Sequence, residues 1–533
     1  MADRAEVDAA GEGERTDLMT HSTRYGAGEH YGDPGLVYGV PTPTGSILWA
    51  VEVDWDRDNV FDGSNEADRM FSITYNRGRT AMLRQTGQGF ESLAPGKCVI
   101  KLRNNDGRYD GWNTSSPLYP YVTYGADVRV QAAMQSDGIM HEEFYGTIFD
   151  IRPFGKGNDS YVELHIEDGG RYLRDFTARS PIVSGITPGA AINNILDAVN
   201  WPTHWGRDID TGIDTINYWW SSGNKTAWTE LEEVAQSFLG LFFIKSNGQA
   251  RFIDRSNTPV SIMDLTQDVL LKDISAPQPF VNRRNITRLK VHPRQLAASS
   301  VIYQLIGDTP LVEAGTTKTI WGNYTYNGQS VPASNVLAPV ATTDYTMNTN
   351  GDGSGTDKTA DFTVTVYDFG DTVKILVRNN GASNAHITKL QVKGDAIYEQ
   401  NVSDVTYPED PSLVSQPREF VLDQKWQQSV NTAIDYTVVL GDFLDQLHPF
   451  PVVKIEARPD IQLGLELFDV VNLDIPALGI TGLSFRIGGI HSATTVDTCQ
   501  VLVKTLYLEP YITTGTYWTW PVMDFGTDTI FGW

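Results

Sequence analysis

Asp54, Asp56, Asp58 and Asp62 stand at the first, third, fifth and ninth positions of the segment DWDRDNVFDGSN. Alternating carboxylates in a tight loop converge on a hard cation, and calcium prefers such oxygen ligands. The loop departs from the EF-hand pattern twice. Asn59 stands where a glycine is usual at the sharp turn, and Asn65 occupies the place of the bidentate glutamate, with Glu66 one residue late. The alternative reading of the same residues is an acidic hairpin tip that stays solvated. Calcium bound here would stiffen a loop rather than take part in a reaction.

Other groups that carry chemistry are not spaced to use it. The chain contains no H-E-x-x-H, no G-x-S-x-G and no paired C-x-x-C. Gly96-Lys97 is followed by Cys98 and lacks the upstream glycine of a phosphate-binding loop, and the run Gly351 to Gly355 precedes no helix, so it reads as a linker. His141, Glu142 and Glu143 open an expected strand, where successive side chains alternate between faces and cannot form a metal triad. Trp201, Trp205, Tyr218, Trp219, Trp220 and Trp228 read as core or subunit contacts before they read as a sugar platform. No carboxylate pair beside them identifies a glycosidase. No enzyme is expected.

The elements that hold these residues follow from periodicity. Thr187 and Pro188 open a helix that places Ile192, Ile195, Leu196 and Val199 on one face. A second helix runs from about Thr226 through Leu231, Val234, Ala235 and Phe238 and stops at Gly240. Leu241 to Ile244 and Ala250 to Ile253 flank Asn247-Gly248 and read as a hairpin. Before this module, ILWAVEVDW, CVIKLRN, DVRVQAA, FYGTIFDI and YVELHIED alternate like strands of an antiparallel barrel or sandwich. After it, FTVTVYDF, DTVKILVRNNG and HITKLQVKGDAIYEQNV mark an inserted β-sandwich, with RNITRLKV before it and VVKIEARP after it as strands of one shared sheet. Asp423 to His448 reads as a long helix ended by Pro449.

The expected organisation is an extended arm over 1–44, a first β-barrel over 45–180, an α+β module over 181–294, the inserted sandwich over 295–417, the helix and closing strands over 418–510, and an aromatic tail over 511–533. Among 533 residues, 66 are acidic and 41 basic, a formal charge of −25. Such a surface repels phosphate backbones, so broad nucleic-acid binding is not expected. Cys98 and Cys499 sit in apolar, strand-like settings and read as core residues. No apolar run is long enough to cross a bilayer, so no stable membrane insertion is expected.

The order helix, aromatic linker, helix and hairpin ending in GQARFIDR resembles the baseplate hub or tail-tip (minor tail) proteins of tailed bacteriophages. GKCVIKLRNNDGRYDGWNTSSPLYPYVTYGADVRVQAA, EEFYGTIFDIRP, LELFDVVNLDIP and SFRIGGIHSATTVDTCQVLVKTLYL are similar to other parts of that family. The resemblance covers most of 45–300 and 415–510. It implies a mainly β, multidomain fold of hub type, in which antiparallel barrels or sandwiches surround a small α+β module.

Membership of that family implies a virion protein of the tail tip, assembled in the host cytoplasm. It would form a homotrimer whose two related barrels per chain match a six-fold tube. The expected partners are the distal tail protein, the tape measure protein and tail fibre or receptor-binding proteins, with DNA only in transit through the lumen. The role would be mechanical, closing the tube until host attachment triggers genome ejection. Two rival expectations are a carbohydrate-binding host-recognition adhesin and a hub with cell-wall-degrading activity.

Overall fold

The computed structural model describes residues 47–61, 65–155, 159–270, 274–279, 282–400, 403–495 and 499–510. The arm expected over 1–44, the aromatic tail over 511–533 and Asp62 of the acidic loop lie outside the described residues. The fold is mainly β with a small α+β module, as expected.

Period-two alternation in the first part produces β1 (Ile47–Val53), β2 (Met70–Gly78), β3 (Ala94–Arg103), β4 (Asp127–Met134), β5 (His141–Phe154) and β6 (Tyr161–Glu167). They pair antiparallel in the order β1-β4-β5-β6-β3-β2. Inward positions such as Val51, Val128, Leu164 and Ile100 are fully buried, which pins the register because a one-residue slip would turn them to solvent.

A short helix, α1 (Gly170–Asp175), leads to the α+β module: β7 (Arg179–Ile186), α2 (Pro188–Ala198), β8 (Arg207–Ile209), β9 (Ile216–Ser222), α3 (Ala227–Ser237), β10 (Leu241–Ile244) and β11 (Ala250–Ile253). Thr187 caps α2 by accepting from Ala190 N, and Thr226 caps α3 by accepting from Thr229 N. The aromatic linker is not irregular: β9 pairs with β7, and β8 lies parallel to β11. The hairpin pairs Leu241 with Ile253 through Ile244 with Ala250. In its turn only Gly248 is left-handed, at φ 86°.

Gly240 does not end α3 in the way the sequence implies. Leu239 takes the left-handed position at φ 57°, while the amides of Leu239 and Gly240 close on the carbonyls of Gln236 and Ala235, the Schellman pattern. Gly240 is needed for close approach, since a Cβ there would lie 2.6 Å from Phe252 Cε2 and 2.8 Å from the Ile253 carbonyl.

Beyond β12 (Ser261–Thr266), β13 (Ile286–Val291) leads into the insertion, which comprises β14 (Arg294–Leu296), β15 (Ser300–Gln304), β16 (Leu311–Val312), β17 (Thr317–Asn323), β18 (Thr325–Tyr326), β19 (Gln329–Ser330), β20 (Ala333–Leu337), β21 (Tyr345–Asn348), β22 (Phe362–Asp368), β23 (Thr372–Asn379) and β24 (Ala385–Glu399). β14, β15, β16, β20 and β21 all pair with the long β24, and β17-β23-β22 forms a second sheet. Between the two sheets lies a core of its own, with Ile302, Val373, Ile375, Ile387 and Val392 fully buried.

The chain re-enters through β25 (Ser403–Tyr407) and β26 (Glu419–Gln424), which take the two edges of β13. The strand VVKIE does not share this sheet, contrary to the sequence reading. With both edges of β13 filled, β27 (Val452–Glu456) pairs with β30 (Leu502–Pro510) instead. The long helix is also shorter than expected. Glu419 to Gln424 alternates, with Phe420 and Leu422 buried, and forms a strand, so α4 runs only over Val430–Leu444 and is capped by Ser429. Gly441 keeps α4 continuous against Tyr407, whose Cδ1 would lie 2.1 Å from an added Cβ.

A one-turn helix, α5 (Pro459–Gln462), precedes β28 (Val470–Ile475) and β29 (Ile480–Thr494). β29 pairs with β28, β30 and β2, from Thr74 opposite Ala493 to Gly78 opposite Gly489. Among the described residues, β1 and β30 therefore belong to one 11-stranded sheet. A single apolar core runs through the first β-domain, the α+β module and the closing strands, joining Val51, Leu164, Leu231, Phe252, Leu473 and Leu506.

Candidate functional site

The acidic loop brings Asp54, Asp56 and Asp58 together, with one oxygen of each within 4.8 Å of the others. Arg57 and Asn59 are left-handed, at φ 61° and 68°. Asn59 thus performs the turn for which glycine is usual, and asparagine tolerates that conformation. Asp54 is 3% exposed, and its carboxylate accepts from the Asp58 and Asn59 amides at 3.2 and 2.9 Å. Burial and the neighbouring Asp56 carboxyl hold Asp54 above the usual carboxylate range.

Asn65 and Glu66, at the end of the loop, are turned to other partners. Asn65 Oδ1 accepts from the Val51 and Ala67 amides. Glu66 is buried and bonded to Arg108, Tyr109 and Trp55. Among the described residues, the donors that converge are the carboxylates of Asp54, Asp56 and Asp58.

Beside the loop a cavity of about 330 Å³ is lined by Asp54, Asp127, Tyr172, His204 and Trp205 among others. Asp127 is its centre. Its Oδ2 accepts from Tyr145 Oη at 2.9 Å and Trp205 Nε1 at 2.7 Å and faces His204 Nε2 at 3.1 Å, and its Oδ1 accepts from Thr147 Oγ1 at 2.8 Å. Four side chains thus converge on this one carboxylate. It ties the α+β module to the first β-domain.

Buried charges cluster beside the seam between β2 and β29. Tyr75, Arg77 and Arg79 occupy alternate positions and meet Glu143, Glu466 and Glu509 in turn. Arg79 grips Glu509 with two hydrogen bonds, at 2.6 and 2.8 Å, the fork geometry in which guanidinium is strongest. Glu143 also holds Lys504 at 2.7 Å. The glycines of the IGGIH motif make room: a Cβ on Gly488 would lie 2.6 Å from Glu509 Cδ, and one on Gly489 2.3 Å from the Arg79 carbonyl. Buried pairs of this kind add little net stability, yet breaking one is costly, so they select a single registration of the two domains.

At the root of the insertion, His292 lies between Glu399 and Asp423, with Nε2 2.6 Å from Asp423 Oδ1. Burial alone would lower its pKa. The hydrogen bonds to the two carboxylates outweigh burial and raise it to about 9. The Arg294 guanidinium sits 4.7 and 4.9 Å from the ring centres of Trp220 and Trp426. These contacts fasten the sandwich to the α+β module.

Of the remaining residues singled out in the sequence, Cys98 and Cys499 are buried core positions, and Trp201, Trp205, Trp219 and Trp228 are buried, so they form no sugar platform. His141, Glu142 and Glu143 do open β5 on alternating faces. Glu142 lines a polar cleft of about 470 Å³ with Lys245, Arg251 and Glu466, while Glu143 turns into the seam. The seam itself escaped the sequence reading. Its signal is Lys504, which occupies an inward position in the alternation of Leu502, Leu506 and Leu508, and a lysine there demands a buried acid. Among the described residues no helix is long and apolar enough to cross a membrane.

No protein-family model and no curated protein matches this chain. Solved structures similar to it include the tail protein from Neisseria meningitidis MC58, with a TM-score of 0.44 and 11% identity over 88% of this chain and 98% of that one. The 43 kDa tail protein of prophage MuSo2 from Shewanella oneidensis gives 0.44 and 10% over 88% and 99%. Prophage tail protein gp18 from Listeria monocytogenes EGD-e gives 0.40 and 10% over 86% and 94%. These are tail proteins, as is the family that the sequence resembles. With TM-scores below 0.5, they assign no role to any residue here.

Proposed function

We propose that this chain is a structural subunit of a phage tail, placed at the tip as a hub or minor tail protein that closes the tube and links it to the distal tail ring, the tape measure protein and the fibres. The observation that supports this reading is the seam. The first strands and the closing strands stand edge to edge in one sheet, and three ion pairs between them, Arg77 with Glu466, Arg79 with Glu509 and Lys504 with Glu143, lock their registration. Three such subunits would offer six β-domains around an axis and match a six-fold tube, the arrangement implied by the sequence resemblance.

In this reading the chain catalyses nothing. Asp127, Glu143, Glu466 and Glu509 are committed to hydrogen bonds and ion pairs that hold domains together, and the excess of negative charge lets DNA slide through a lumen without sticking. Asp54, Asp56 and Asp58 have a stiffening role, in which bound calcium would draw the loop against the first β-domain.

Sedimentation of the purified chain, together with labelled imaging of particles, tests the proposal. The expected results are a species of three times the 59.1 kDa subunit mass and label at the tail tip. A monomer that labels no particle, or digestion of host cell walls by the pure chain, would refute it.

A further inference from the structure

The outer face of the three-stranded sheet in the insertion carries side chains that the sandwich core does not use. Strand register sets Trp321, Lys374 and Tyr367 in one row across β17, β23 and β22, and Thr319, Leu376 and Thr365 in the next. Val373, Ile375 and Val377 are buried in the core, so the two-residue period of a strand turns Lys374, Leu376 and Arg378 the other way. Trp321 is 51% exposed and Tyr367 47%.

The two rings are held in place. Lys374 Nζ lies 5.8 Å from the Trp321 ring centre and 5.7 Å from that of Tyr367. The Arg179 guanidinium, from the α+β module, lies 5.3 Å from Trp321. Phe369 stacks on Trp321 at 5.7 Å. Rings fixed in advance lose little entropy when a ligand covers them.

Charge narrows the choice of ligand. The outward positions of β17, β22 and β23 include Lys374 and Arg378 and no acid, on a chain with 66 acidic and 41 basic residues. A stiff duplex passing over this small cationic face would meet the negative surface around it. A flexible chain of sugars fits within three strands. Two strand spacings put Trp321 and Tyr367 roughly 10 Å apart, the scale of two linked sugar rings. Aromatic faces take the C–H side of a pyranose, threonine hydroxyls both donate and accept as sugar hydroxyls do, and guanidinium and ammonium groups pair with carboxylates.

We propose that this face binds an acidic polysaccharide, with sugar rings stacked on Trp321 and Tyr367 and uronate carboxylates paired with Lys374 and Arg378. The inference adds a ligand to the chain and does not depend on its place in a particle.

Affinity electrophoresis of the full chain in gels containing polygalacturonate tests it, beside gels containing neutral dextran, poly(glycerol phosphate) or DNA. Polygalacturonate is expected to retard the chain, more weakly at high salt, and dextran is not. Trp321→Ala is expected to weaken retardation about tenfold, and Lys374→Glu with Arg378→Glu to abolish it. Because the Trp321 ring also packs on Phe369, Lys374→Gln serves as a second variant, expected to bind less while melting like the native chain. Absence of retardation by polygalacturonate, or retardation unchanged in the variants, overturns the proposal. Retardation by DNA or poly(glycerol phosphate) equal to that by polygalacturonate also overturns it, by showing a surface for any polyanion.

Discussion

Lys504 Nζ lies 2.7 Å from Glu143 Oε2, and both side chains are 1% exposed, so β30 is bonded to β5 across the seam. Lys504 also donates to the Gln462 carbonyl, and Tyr75 donates to the same Glu143 oxygen. Lys504→Met leaves a buried carboxylate without its cation and is expected to cost about 3–5 kcal/mol in urea unfolding. Adding Glu143→Gln should recover part of the loss. A single-variant loss below about 1 kcal/mol, the range of a surface pair, would show that the contact does not hold the seam.

The clamp on His292 makes stability depend on alkaline pH. Its pKa stands at about 9 in the fold, above about 6.5 for an unfolded histidine. A folded-state pKa raised in this way contributes stability that is fully present below about pH 6.5 and is lost as pH rises through about 9. Because Glu399 and Asp423 are largely exposed, solvent screens the pair and its contribution is on the order of 1 kcal/mol. Unfolding followed across this window should show the decline, and His292→Gln should flatten it. Equal slopes for the two chains would rule out the clamp as its source.

Neighbouring residues at the end of α3 should respond in opposite ways. Gly240→Ala pushes a methyl group into Phe252 and the Ile253 carbonyl and is expected to destabilise by about 1–3 kcal/mol. Leu239→Gly relieves a left-handed leucine, worth about 1–2 kcal/mol, while giving up half-buried contacts of similar size, and should be nearly neutral. If Leu239→Gly proves the more damaging of the pair, the close-approach account of Gly240 is wrong.

The acidic loop should bind calcium weakly, because Glu66 is committed to Arg108 and Tyr109 and supplies no bidentate ligand. With a dissociation constant on the order of 10⁻³ M, calcium at about ten times that concentration would stabilise the chain by about 1.4 kcal/mol. Thermal melts with calcium and with a chelator should differ accordingly, and Asp56→Asn with Asp58→Asn should remove the difference. Identical melts for the native chain would favour the solvated acidic tip.

Local rules were enough for the parts whose determinants lie within a few residues. Thr187 and Thr226 cap their helices because a hydroxyl reaches the amide three residues on. The Leu241 to Ile253 hairpin forms because a glycine lies between two apolar runs. The strands of the first domain and of the insertion follow their alternation. The mainly β class, the α+β module and the convergence of Asp54, Asp56 and Asp58 were legible for the same reason.

Tertiary structure alone decided what depends on partners far along the chain. Gln424 continues a strand, not a helix, because β13, more than a hundred residues earlier, offers it an edge. VVKIE pairs with β30 because β13 is already occupied on both sides. Glu66 is lost to calcium because Arg108 and Tyr109 claim it, and Arg77, Arg79 and Lys504 find their acids only when the first strands and the closing strands meet in one sheet. A sequence encodes the need of a buried charge for a counter-charge, but which residue answers is set by long-range packing, where the cost of leaving any one of them unpaired selects a single arrangement.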